Sequence, residues 1–183
     1  MKKVISRLGI CCWLAAPLAD AATCQANLEE STPSNRFNAT GTTVTDKETS
    51  LTWMRCAIGQ SWTGSTCAGA ATTMNWSEAV AMVEHFNQQG LAGQKDWRLP
   101  MMPELASIVE RQCFNPRMNE TVFPGAPSTV FWSIMEKMGT TRYAYTLDFG
   151  GGAAVATLKD FNGAVRLVRG GPWWTPPKMM SAK

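Results

Sequence analysis

The sequence has little with which to run chemistry. Its 183 residues contain a single histidine, His85, and only 17% charged side chains, so few groups titrate near neutral pH. Counted at 100° per residue from Trp76, His85 falls on the polar face of a predicted helix. It is therefore read as a solvated imidazole, and no Ser–His or Cys–His pair is available. The carboxylates Glu104, Glu110 and Asp148 are not paired by spacing as a hydrolase would need. No Cys-x-x-Cys or Cys/His cluster has zinc-ligand spacing, and Gly150-Gly151-Gly152 is followed by neither a helix nor Gly-Lys-Ser/Thr, so it is no phosphate cradle. The expectation is a chain without catalytic residues, metal or cofactor.

What is present begins with an export signal. Lys2, Lys3 and Arg7 precede an apolar run from Leu8 to Leu18 that is too short to span a bilayer, followed by Ala19-Asp20-Ala21 as a small-x-small cleavage site. Residues 1–21 are read as a signal peptide, which places the mature chain in the periplasm, at the cell surface or in the medium. Its removal takes Cys11 and Cys12 and leaves Cys24, Cys56, Cys67 and Cys113, an even set that argues for disulfides. Of the three connectivities, Cys56–Cys67 is favoured because the Gly- and Ser-containing loop between them closes easily, leaving Cys24 with Cys113.

The mature chain carries 14 basic and 13 acidic residues, which is no nucleic-acid footprint. The distribution is uneven: residues 22–90 hold three basic and six acidic side chains, residues 91–183 eleven and seven, so the later half could face an anionic partner.

Along the chain, residues 22–36 read as an extended arm without period, held through Cys24. Gly41–Asp46 and Leu51-Thr52-Trp53 flank a polar turn and predict a hairpin that buries Trp53. Trp62 lies in the loop between Cys56 and Cys67, where it need not be buried. Asn75 and Glu78 form a capping-box pattern for a helix to about Gly90, with Trp76, Ala79, Val80, Val83 and Phe86 as its core stripe. Asp96-Trp97-Arg98-Leu99-Pro100 then drops a large ring into the core, fixes a cation and turns, since Pro100 keeps Leu99 out of the helical region. A second helix starts over Glu104–Val109, with Pro103 in its first turn and Met101 at a cap position it fills poorly. Pro116, Pro124 and Pro127 mark an irregular connection. Tyr143–Phe149, Ala153–Leu158 and, after an Asn162-Gly163 turn, Ala164–Arg169 predict a three-stranded antiparallel meander. Residues 172–183, with Trp173-Trp174 among prolines, form a tail.

The ordered set Gly41–Trp53, the helix opening at Trp76, Asp96-Trp97-Arg98-Leu99-Pro100 with Glu104-Leu105, Phe131-Trp132-Ser133 and Val165–Arg169 resembles the Lcl C-terminal domain family over residues 37–171. The resemblance implies an α+β, C-type-lectin-like fold with two helices packed on a curved antiparallel sheet. Trp53, Trp76, Trp97, Arg98, Pro100 and Trp132 are read as structural residues. Met101 stands where the family usually has Thr, and Ser50 where it usually has Gly. The formylglycine-generating enzyme fold shares the Arg-Leu-Pro turn, but no cysteine follows Cys113 here to supply that enzyme's pair. A calcium-lectin Glu-Pro-Asn loop and Trp-Asn-Asp triad are also missing. The family's namesake adhesin is associated with sulfated glycans. The expected function is accordingly a binding module or adhesin for an anionic glycan or surface polymer, with Trp62, Lys137, Arg142, Lys159 and Arg169 as contact residues. The alternatives are a structural subunit contacting pilus or envelope proteins and, less well supported, a hydrolase.

Overall fold

The computed structural model describes residues 21–171; the predicted signal peptide and the Trp173-Trp174 tail lie outside the described residues. In chain order the first elements are β1 (Thr23–Cys24), β2 (Phe37–Thr40), β3 (Thr43–Asp46) and β4 (Thr52–Met54). One short pair follows, β5 (Ser61–Trp62) with β6 (Cys67–Ala68), then β7 (Thr73–Met74), α1 (Trp76–Gln89), α2 (Met102–Ser107) and β8 (Cys113–Phe114). The sheet region closes the chain with β9 (Val130–Glu136), β10 (Tyr143–Asp148), β11 (Ala154–Leu158), β12 (Gly163–Ala164) and β13 (Val168–Arg169).

The strands assemble into a five-stranded sheet ordered β11-β10-β9-β12-β7 and a four-stranded sheet ordered β13-β4-β3-β2. Adjacent side chains on a strand point to opposite faces, and Phe131 and Trp132 of β9 therefore seed two separate cores. Trp132 packs with Met74, Ala79, Trp97, Ala144 and Leu167, on the α1 side. Phe131 packs with Trp53, Leu105, Ile108, Phe123, Leu147 and Phe149, on the side of α2 and the four-stranded sheet. The α+β composition and largely antiparallel pairing are as expected, but the two helices take opposite faces of the larger sheet.

Local chemistry sets the element ends. The Asn75 side chain accepts from Glu78 N–H while the Glu78 carboxylate accepts from Asn75 N–H, both at 3.0 Å, and Gly90 ends α1 at φ 73°. The β3–β4 hairpin is built on Asp46, whose buried carboxylate holds Arg36 and accepts from Glu48 N–H and from the Thr49 hydroxyl. Burial opposes ionisation of Asp46, but the Arg36 hydrogen bond and its neighbours outweigh it and keep the pKa below the usual carboxylate range.

Four sequence expectations need correction. Val80 is exposed, and Met82 takes its place in the stripe, because α1 rests on the sheet through Trp76, Ala79, Val83 and Phe86. The second helix ends at Ser107, with Ile108 as its cap, instead of running on to Val109. The meander stops at two strands: Asn162-Gly163 is not a hairpin turn, since β12 runs parallel to β9 and antiparallel to β7. Gly163 is needed there for close approach, as a Cβ would come within 2.9 Å of the Trp132 ring nitrogen. The chain then leaves the sheet, and Val168 pairs with Trp53 in the four-stranded sheet. Finally, β2 and β9 were not anticipated as strands, although β9 is the axis of the larger sheet.

Both predicted disulfides are present, Cys24–Cys113 and Cys56–Cys67. The first lies within the β1–β8 pair and ties down the arm.

Ser50 sits at φ 58°, in the left-handed region where a side chain is strained, and Met101 makes no side-chain cap bond. Ser50→Gly and Met101→Thr should each raise stability, by about 0.5–1 and about 1 kcal/mol respectively. The check is the urea midpoint at constant m-value; a lower midpoint for either would refute the corresponding local account.

Candidate functional site

Three of the five candidate contact residues meet at one end of the β9-β10-β11 ribbon. The β9–β10 connection is closed by Lys137 N–H donating to Tyr143 C=O at 3.0 Å, with Gly139 at φ 79°. Lys159 N–H donates to Arg142 C=O, also at 3.0 Å, and so brings the end of β11 alongside. Lys137 and Arg142 are exposed. The Lys137 ammonium lies 5.5 Å from the Tyr143 ring centre. The alternation of β10 places Tyr145 on the same face as Tyr143, both half-buried.

Lys159 is more constrained. Its ammonium pairs with Glu136 at 2.7 Å and lies 4.0 Å above the Trp76 ring, whose Nε1–H donates to Ser133 C=O at 2.9 Å. Trp76 thus serves both as an anchor of α1 and as an aromatic support for a cation. The ribbon end offers two exposed cations that join no salt bridge among the described residues, a third held over an indole, and two phenol rings, an arrangement suited to stacking a flat face and meeting negative charge.

The sequence profile of the Lcl C-terminal domain matches residues 42–169. The chain belongs to the Lcl C-terminal domain family. Among curated proteins, none matches this chain.

In this Lcl C-terminal domain the other two candidates are engaged elsewhere. Trp62, half-buried on β5, carries the Arg55 guanidinium 4.1 Å from its ring centre, and burial pushes the Arg55 pKa down. Arg55 Nε–H also donates to Val122 C=O at 3.0 Å, so Trp62 helps fix the disulfide loop to the body. Arg169 pairs with Asp96 at 2.7 Å, and its hydrogen bond lowers the Asp96 pKa. Much of the predicted basic excess is spent inside the fold.

Arg98 and Arg166 show this most clearly. Arg98 grips Glu104 through two hydrogen bonds of 2.7 Å, and its Nη2 donates to Gly170 C=O at 3.1 Å. Arg166 is fully buried, donates from Nη1 to the carbonyls of Met54 and Arg55, and lies 5.0 Å and 5.7 Å from the Phe123 and Phe131 ring centres. Desolvation pushes its pKa down to about 9, so it is still cationic at neutral pH. The only sequence signal was an arginine inside the apolar run Val165–Val168.

The carboxylates considered for hydrolysis also have structural partners. Glu104 is buried against Arg98, and Asp148 accepts from Gly150 and Gly151 N–H. A cleft of about 290 Å³ beside the amino-terminal arm is lined by Glu30, Glu110 and Glu120, the wrong sign for an anion. Glu110 accepts from Ser31 N–H, Gln112 N–H and the Thr32 hydroxyl and N–H at 2.7–3.0 Å. Burial alone would raise its pKa; these donors overcome that and hold it at about 2, against an ordinary 4.5.

A depressed carboxylate stabilises the fold above its unfolded pKa and ceases to do so as pH falls through the folded value. Glu110 should contribute on the order of 3 kcal/mol near neutrality, lost between about pH 5 and pH 2. Glu110→Gln should be destabilised near neutrality and show a flatter acid limb in urea unfolding. An unchanged acid limb would show that Glu110 is not a main source of acid sensitivity.

Proposed function

We propose that this Lcl C-terminal domain is an exported, non-catalytic binding module that recognises an anionic, sulfated glycan or surface polymer through the end of the β9-β10-β11 ribbon. What supports the reading is the meeting of Lys137 and Arg142 at the ribbon end beside Tyr143, with Lys159 held over Trp76 on the other face of the sheet. Sulfate or carboxylate groups meet the exposed Lys137 and Arg142, while a sugar face lies against the tyrosines. Trp62 and Arg169 keep structural roles and are left out of the site.

The two disulfides fit an oxidising compartment, and among the described residues no helix is long and apolar enough to cross a membrane. The domain works in the periplasm, at the cell surface or in the medium, with the C-type-lectin-like arrangement as its scaffold. The carboxylates and the surface histidine contribute to the fold or to solvation, and turnover of the ligand is not part of the role.

The test is binding of the oxidised domain to a sulfated polysaccharide, with its desulfated counterpart as control. Lys137→Ala combined with Arg142→Ala should weaken binding by roughly 10-fold or more at low salt, and salt should weaken binding of the unaltered protein. Affinity for the sulfated polymer that is the same with and without both side chains would overturn the assignment.

A further inference from the structure

The outer strand of the larger sheet, β11, has an open edge. Asp148 N–H donates to Ala153 C=O at 2.9 Å and Lys159 N–H to Arg142 C=O at 3.0 Å, and with the register Thr146↔Val155 this turns the backbone of Val155 and Thr157 toward β10. The backbone groups of Ala154, Ala156 and Leu158 therefore point away from the sheet. Among the described residues, only the Leu158 C=O has an occupant, the Phe161 N–H at 3.0 Å. Ala154–Leu158 contains no charge, no proline and no bulge, the usual protections of an edge, and Val155 and Leu158 are 47% and 37% exposed.

We propose that this edge pairs with β11 of a second copy of the chain, antiparallel, about a two-fold axis through Ala156. The outward backbone groups dictate that register. Centred on Ala156, Ala154 faces Leu158 of the second copy and Ala156 faces itself, so every outward residue meets another outward residue. A shift by one position sets outward groups against inward ones, and a shift of the axis to Val155 or Thr157 leaves an outward residue without its counterpart.

The same register brings charge to both ends of the contact. Asp160 is exposed and joins no salt bridge among the described residues. It comes alongside Gly152 of the second copy, and Gly152 lies under the Arg117 side chain: a Cβ there would be 2.7 Å from Arg117 Cδ and 3.0 Å from its Nε. Among the described residues Arg117 joins no salt bridge, and its Nη1 donates only to Arg111 C=O at 3.3 Å. Two-fold symmetry makes the Asp160–Arg117 contact twice. The dimer joins two larger sheets edge to edge and directs the two ribbon ends in opposite directions. Its small contact area gives a weak association, with dissociation in the micromolar range or above.

Sedimentation velocity on the oxidised domain from roughly 10 µM to 1 mM covers that range. The expected result is a concentration-dependent monomer–dimer equilibrium. Ala156→Pro, which removes an outward N–H while sparing the bonds to β10, should abolish it. Asp160→Arg should weaken it by about 10-fold, and pairing Asp160→Arg with Arg117→Asp should restore it; this charge exchange tests the contact even if the proline variant does not fold. A monomer throughout the range, or a dimer that the charge exchange leaves unmoved, would overturn the proposal.

Discussion

The ion pair between Arg98 and Glu104 is the constraint on which the rest depends. Glu104 is completely buried and sits in the first turn of α2, and it also accepts the Met101 N–H at 2.8 Å. Arg98 exchanges backbone hydrogen bonds with Val168, at 2.8 Å and 3.0 Å, and reaches Gly170. One bidentate contact thus fastens the start of α2, the Trp97 turn and the returning β13. Trp97 and Arg98 are neighbours that serve different ends, the indole filling the α1-side core and the guanidinium crossing to α2. Such a pair contributes modestly as a whole, but removing Arg98 strands the fully buried Glu104 carboxylate without water, whereas the Arg98 side chain, 31% exposed, keeps access to solvent.

Charge in this protein goes mostly into architecture. Arg36 with Asp46 builds a hairpin, Glu110 collects the arm, and Arg166 bridges two carbonyls between phenyl rings. The Cys24–Cys113 disulfide and the Glu110 hydrogen bonds act on the same segment, one covalent and one sensitive to acid. Among the described residues, Lys137 and Arg142 are exposed and join no salt bridge, and their meeting at the ribbon end gives the proposed binding role its location.

Legibility from sequence followed the range of the interactions. Local signals were clear: the Asn75 and Glu78 box, the Asp46 turn, the poor cap at Met101 and the short Cys56–Cys67 loop all operate within a few residues. Position along the sheet was not legible. Asn162-Gly163 looks like a hairpin signal, yet Gly163 is present so that β12 can lie against Trp132, a contact invisible without β9 in place. The candidate site was read in part for the same reason. Lys137, Arg142 and Lys159 share one ribbon, whereas Trp62 and Arg169 found partners in Arg55 and Asp96 that no spacing indicated. Ser50 and Met101, where the resemblance leads one to expect Gly and Thr, fall on a left-handed residue and an unfilled cap, which gives that expectation a backbone reason.

The most direct measurement is a double-mutant cycle on this ion pair, using Arg98→Met and Glu104→Gln with unfolding free energies from urea titration. Arg98→Met should cost roughly 3 kcal/mol or more, because it leaves the buried carboxylate unpaired, and Glu104→Gln less, because Arg98 is partly exposed, while the double substitution should cost little beyond the worse of the two. Costs that simply add would mean the two side chains act independently, and the clamp would not be the centre of the fold.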